Sequence, residues 1–279
     1  MSPADDLKVP VKKNFRLSSV DPASTGPFSD KEAAKELKKA TLKKIQDLQY
    51  RLFVEQKQSL LIVLQAPDAA GKDGLIRKVL GKMNPQGCRV YPFKVPTALE
   101  RSHDFLWRIH NCVPASGQVT IFNRSHYEDV LVTRVEKLIS PETCEARYEH
   151  INSFESLLVE SGTRILKFYL HISPKEQLER FKSRLDEPDK HWKLNAADYR
   201  AREQRKAYHE AYEAVFEKCN FEHAPWYVIP ANHKWFRNYA VAEIVLKALE
   251  EMNPQLPPVE ADMEKIKTLY ELELAELEK

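Results

Sequence analysis

Five short apolar runs divide a chain that is otherwise polar and charged. They are Leu60 to Leu64, Cys88 to Phe93, Val119 to Phe122, Thr163 to Ile172 and Trp226 to Ile229. Runs this short, rich in branched residues and lacking strict alternation, predict strands buried on both faces, as in a parallel sheet. The segments between them carry apolar residues at helical spacing. Leu37, Leu42, Ile45, Leu48, Leu52 and Phe53 recur at threes, fours and fives, which predicts one apolar stripe on a long helix to about Lys57. Ser29 and Asp30 are its candidate N-caps. Leu75, Ile76, Val79 and Leu80 predict a helix after the first strand, and Phe105, Leu106, Trp107 and Ile109 another after the second. Helix continues to about Ser161, restarts at Ser173-Pro174 and over 196–218, and closes from the fifth strand to about Glu251. Strand and helix in alternation predict an α/β domain with a five-stranded, mostly parallel sheet.

The ends differ from this body. Residues 1–28 hold Pro3, Pro10, Pro22 and Pro27 and read as a surface arm, with Lys12, Lys13 and Arg16 solvated or in reach of an anion. Pro254, Pro257 and Pro258 mark a linker to an acid-rich amphipathic helix, Asp262 to Lys279, that packs on a neighbour or is solvated. The expected division is an arm over 1–28, a domain over 29–252 and a linker with helix over 253–279.

Composition narrows the picture. Lys and Arg number 43 against 41 Asp and Glu, so the net charge of +2 selects no partner and any charge specialisation must be local. Cys88, Cys112, Cys144 and Cys219 form no C-x-x-C pair and read as reduced thiols of a cytoplasmic protein. No run of 18 apolar residues predicts a membrane span, and the N-terminus lacks the apolar stretch of an export signal.

The chemistry gathers after the first strand. Gln65 to Gly74 reads Q-A-P-D-A-A-G-K-D-G, and a helix follows. Strand, tight loop with Gly71-Lys72, then helix is the arrangement that wraps backbone amides around phosphate. Ala69, Ala70, Gly71, Asp73 and Gly74 would form the cradle, and Lys72 would add a full charge. The match to G-x-x-x-x-G-K-[ST] is partial: Ala66 stands at the first glycine, and Asp73 at the Ser/Thr that usually holds Mg2+. A plain buried strand–helix turn is the alternative. Asp68 inside the loop would repel a triphosphate unless it works through a metal ion.

The third strand ends in N-R-S-H-Y-E-D. Ligands in open α/β sheets sit beyond the carboxyl ends of strands, which places Arg124 and the Glu128-Asp129 pair beside Lys72. Acids at a helix start for dipole reasons alone are the competing reading. After the fourth strand, Arg180 and Arg184 share a helical face, and Lys190 and Lys193 follow a proline break. These four cations over 174–200 read either as a lid that folds over phosphate or as a solvated basic face. His126 and His191 lie in the two motifs, and neither is assigned a catalytic role.

The loop, the segment I-F-N-R-S-H-Y-E-D-V-L-V-T-R-V, the run R-L-D-E-P-D-K-H-W-K and A-P-W-Y-V-I-P-A-N-H-K-W-F-R-N together resemble the second polyphosphate kinase family. The resemblance covers roughly residues 30 to 252. It implies a P-loop-kinase-like, three-layer α/β/α fold with a helical lid. It implies transfer of a terminal phosphoryl group between inorganic polyphosphate and a nucleotide, adenine or also guanine, with Mg2+ or Mn2+ in its place. It makes Asp68 and Lys72 the working pair of the loop and Arg124 a phosphate-binding residue. It places Arg180, Arg184, Lys190 and Lys193 in the lid and suggests self-association. Many members have Asp where this chain has Asn123, which moves the expected metal ligand to Asp129, with Glu128 nearby. The N-R-S-H-Y-E-D form resembles members acting on both nucleoside mono- and diphosphates. The reading carries no membrane and no nucleic-acid partner. Its rivals are an ATP-dependent nucleoside monophosphate kinase and a non-catalytic nucleotide- or RNA-binding protein.

Overall fold

The computed structural model describes residues 3–11, 14–28 and 31–278. Ser29, Asp30, Lys12, Lys13 and Lys279, named above, lie outside the described residues. The five apolar runs are strands β1 (Ser59–Gln65), β2 (Cys88–Pro92), β3 (Val119–Asn123), β4 (Thr163–His171) and β5 (Trp226–Pro230). They form one sheet in the order β2-β3-β1-β4-β5, with every pairing parallel. Every residue of β1 is buried because the strand is central and helices cover both of its faces.

The helices that matter below are α1 (Lys31–Glu55), α2 (Lys72–Lys78), α3 (Pro141–Glu160), α4 (Pro174–Asp186), α5 (Ala196–Glu203), α6 (Arg205–Lys218), α7 (Lys234–Met252) and α8 (Met263–Leu277). Alternation along β1 sorts the core into two layers. Leu60, Ile62 and Leu64 pack with Ile45 and Leu52 of α1 and with Ala240, Ile244 and Leu249 of α7. Leu61 and Val63 pack on the other face with Ile151 of α3 and Val215 and Phe216 of α6. The layering is α/β/α, as expected.

Three local expectations need correction. Leu37 is exposed, and the buried line of α1 runs Ala34, Thr41, Ile45, Gln49 and Leu52. Two polar residues can sit on it because each has a partner. Thr41 donates to Glu243 Oε1 at 2.5 Å, and Gln49 Oε1 accepts from the Asn84 amide at 2.8 Å. The helix expected around Phe105 to Ile109 is only the turn Trp107–His110, because Asp104 accepts the Leu106 amide and starts the chain afresh there. The N-terminal arm is not simply solvated. Val9 N–H donates to Trp226 O at 2.9 Å, and Val228 N–H donates to Leu7 O at 3.0 Å. Val9 and Leu17 are buried. β5 is an edge strand whose outward backbone groups need partners, and the arm supplies them.

Candidate active site

The carboxyl ends of β1, β2 and β3 meet helix α4 and the start of α7 around a cleft of about 650 Å³. Among the described residues, eleven Lys and Arg side chains line it against two carboxylates, Asp68 and Asp73. The local charge specialisation that the overall composition hides is therefore here.

The loop after β1 reaches its shape by left-handed backbone at two positions. Ala69 has φ 62° and Gly71 φ 102°. Glycine suits 71 because its φ of 102° is one that L side chains rarely adopt, and a Cβ there would also lie 2.0 Å from Arg237 Nη1 unless that guanidinium shifted. Lys72 opens α2 and bends back to donate to Ala66 O at 2.8 Å, so its ammonium lies beneath the loop. Burial and nearby Arg124 hold Lys72 below its usual 10.5, against the pull of Asp68, Glu128 and Asp73.

Arg124, at φ 63°, is the first residue past β3. Its guanidinium donates to Asp68 Oδ1 at 2.8 Å and lies 4.0 Å from Glu128 Oε2. Burial works against the Arg124 charge, but Glu128 and Asp68 outweigh it and raise its affinity for the proton. Asn123 donates to Asp73 Oδ1 at 3.0 Å. Asp68 and Arg124 form a wall with a cavity on each side. Beyond it from the basic cleft is a smaller one, about 80 Å³, lined by Glu128, Val132, Arg202, Tyr208 and Tyr212 among others. Glu128 is partly buried there, and its desolvation raises the carboxyl above 4.5 despite Arg124 and Lys72.

Asp129 is not in this company. It follows Glu128 in a 3-10 turn, His126–Asp129, so the two side chains diverge. Its carboxylate oxygens lie 3.6 Å from Arg108 and 3.7 Å from Arg147. It lines neither cavity. The expectation that the Glu128-Asp129 pair faces Lys72 therefore holds for Glu128 alone.

All four expected cations, Arg180, Arg184, Lys190 and Lys193, line the cleft. Arg184 is 3.2 Å from Asp198, Lys190 pairs with Glu187, and Lys193 lies 4.9 Å from the Trp192 ring centroid. Arg180 is 8% exposed, and its donors go to protein acceptors. Sequence reading missed Arg237, Lys94 and Lys234, which also line the cleft, and a buried ionic cluster within the fold. Lys167 in β4 donates to Glu155 Oε2 at 2.5 Å, to Cys219 O at 2.7 Å and to the Tyr127 hydroxyl at 3.0 Å. A lysine within the apolar run of β4 was the available signal.

A divalent cation fits the cleft only in part. Among the described residues, no group of three or more His, Cys, Asp or Glu could hold a metal alone. Asp68 and Asp73 beside a basic cleft match the way Mg2+ is usually held, by one or two carboxylates with substrate phosphates completing its shell.

A sequence model of the family described as polyphosphate kinase 2 matches residues 28–257. The AMP/ADP-polyphosphate phosphotransferase of Meiothermus ruber is 47% identical over 253 residues, covering 90% of this chain and 95% of its own. The ADP-polyphosphate phosphotransferase of Rhodopseudomonas palustris is 39% identical, covering 85% and 86%. The crystal structure of polyphosphate kinase 2 from Arthrobacter aurescens TC1 superposes with a TM-score of 0.93 at 43% identity, over 97% of this chain and 96% of that one. This chain, with a basic cleft on an all-parallel sheet and matched over most of its length in sequence and in structure, is a member of the polyphosphate kinase 2 family.

Proposed function

We propose that the chain moves the terminal phosphoryl group of inorganic polyphosphate to AMP and ADP, reversibly and by direct in-line transfer. The observation that carries the reading is the Asp68–Arg124 wall, with a large basic cleft on one side and a small, partly apolar cavity on the other. A polyanionic donor suits the row of Lys and Arg, and a nucleotide acceptor suits the cavity lined by Tyr208, Tyr212 and Val132. The two substrates then meet at Arg124.

Phosphoryl transfer needs little from the protein beyond positioning and charge neutralisation. Lys72 and the loop amides hold the transferring group, and Arg124 offsets the charge that spreads over it. Arg184, Lys190 and Lys193 hold the donor chain. Asp68 orients the accepting phosphate oxygen through Arg124 and is the residue that would hold Mg2+, or Mn2+ in its place. Asp73 stands nearby. Such an ion would neutralise phosphate charge when bound. Asp129, held between two arginines, takes no part in this arrangement.

Guanine nucleotides as further acceptors, a cytoplasmic setting and a homo-oligomer belong to the same reading. The last is supported by the exposed apolar side chains of α8, Ile266, Leu269, Tyr270 and Leu272 among them. Among the described residues, no helix is long and apolar enough to cross a membrane.

One assay tests the reading. Polyphosphate and Mg2+ are supplied with AMP, ADP, GMP or GDP, without ATP, and products are separated by chromatography. ADP from AMP and ATP from ADP are expected. No nucleotide product until ATP is supplied would point to an ATP-dependent monophosphate kinase. RNA binding without any phosphoryl transfer would point to a binding protein.

A further inference from the structure

Arg180 stands in a motif whose cations were expected to hold the donor, yet it has nothing left to offer a phosphate. A guanidinium carries five N–H donors. Nε donates to Glu176 Oε1 at 2.7 Å. Nη1 donates to Ala69 O at 3.0 Å and Ala70 O at 2.9 Å, and Nη2 to Ala231 O at 2.6 Å and Asn232 O at 2.9 Å. All five are spent.

The acceptors are as telling as the count. Gln177, one residue past Glu176 on the same helix, donates to Asp68 O at 2.9 Å. Three successive carbonyls of the phosphate loop, those of Asp68, Ala69 and Ala70, are thus bonded to α4. Ala70 O accepts a second bond from Arg237 Nη1 of α7 at 2.9 Å. In a trans peptide the N–H points opposite to its own C=O. Turning these carbonyls onto α4 and α7 therefore turns the Ala69 and Gly71 amides away from them. Ala69 and Gly71 line the cleft, whereas Ala70 is fully buried. The loop needs such a device because alanine at 66, 69 and 70 gives it little intrinsic preference for an anion-binding shape.

We infer that Arg180 is a positioning residue: with Gln177 and Arg237 it latches the phosphate loop by its carbonyls and so aims the loop amides at the donor phosphate. It acts through the loop and not by touching substrate. Because Arg180 belongs to α4, the same bonds tie the base of the lid to the loop.

The test rests on the proposed phosphotransferase reading for its kinetic arm and is independent of it in its second arm. Full-length Arg180→Met and Arg180→Lys are compared with the wild type. Lysine keeps the charge and offers three donors in place of five, so it folds where methionine fails. Arg180→Met is expected to lose on the order of 10²-fold in kcat/KM, as for a small misplacement of a positioning group. Arg180→Lys is expected to lose about tenfold. The slope of log KM for polyphosphate against log salt stays at the wild-type value in both, because no phosphate contact has gone. Amide hydrogen exchange in a peptide spanning 66–75 rises in both variants whether or not the wild type turns over polyphosphate. Wild-type kcat/KM in Arg180→Lys, a salt slope smaller by about one, or unchanged loop exchange in a folded variant would each overturn the inference.

Discussion

Lys167→Met removes the cation from the most deeply buried ionic cluster in the described chain. Lys167 is fully buried and Glu155 is 1% exposed. After the substitution the Glu155 carboxylate keeps the Tyr127 hydroxyl at 2.8 Å and His126 at 3.3 Å but loses its counter-charge, and Cys219 O loses its donor. Breaking a buried pair from one side costs about 3–5 kcal/mol, a large share of the roughly 5–15 kcal/mol that holds a domain together. At about 2.1 cal/mol/K of unfolding entropy per residue, a loss of ~4 kcal/mol from a chain this long lowers Tm by about 7 °C. The deficit depends on pH with a definite sign. Burial works to raise the Glu155 carboxyl, but Lys167 and His126 outweigh it and hold the group below its usual 4.5. That contribution to wild-type stability is present above 4.5 and is lost as pH falls through the lower folded value. The variant's lone carboxylate is relieved by protonation, so the gap between the two proteins narrows in acid. Urea unfolding followed by circular dichroism at pH 7 and near pH 4 measures both gaps. The double variant Lys167→Met/Glu155→Leu should recover most of the loss, since an apolar replacement of a buried pair is often neutral. A single-variant loss under about 1 kcal/mol, or an equal loss at both pH values, would refute the reasoning.

Further outcomes follow from the cleft. Lys72→Met should cut turnover on the order of 10²–10³-fold with the fold retained, as for the loss of one electrostatic donor; steady-state rates of a variant with wild-type circular dichroism check this. Asp68→Asn should raise the Mg2+ concentration needed for half-maximal rate, while Asp129→Asn leaves it unchanged and lowers Tm by freeing Arg108 and Arg147; a metal titration with a melting curve separates them, and equal metal effects would restore Asp129 as a ligand. Gly71→Ala should cost about 1–2 kcal/mol for left-handed backbone alone, with more from its 2.0 Å approach to Arg237 Nη1, and should abolish transfer; unfolding and rate measurements on one preparation decide it.

The strands and the loop were legible because they obey local rules. Leu60 to Leu64 is apolar at every position and ends in small residues, which few structures other than a central strand and its turn can use. Arg124 was placed correctly because it follows β3 directly and the carboxyl edge of the sheet fixes where it must lie. Asp129 was not, because one further step around a 3-10 turn sends a side chain elsewhere, and a sequence does not show that Arg108 and Arg147 wait there. The carbonyl partners of Arg180, and the place of Arg237, were hidden for a related reason. A guanidinium that turns toward buried carbonyls has the same local sequence as one that turns toward solvent. The arm was misread because its partners, Trp226 and Val228, lie more than two hundred residues away.

That arm has a consequence for how the molecule can be handled. The family match begins at residue 28, so a chain cut to the matched segment looks complete by alignment. Such a cut strips the outer rail from β5, leaves the Val228 amide and Trp226 carbonyl open, and removes Val9 and Leu17 from the hollows they fill. Trimmed molecules gain a bare ladder along which to zip together, whereas in the intact chain residues 7–9 already occupy those rungs and joining by sheet extension there is closed.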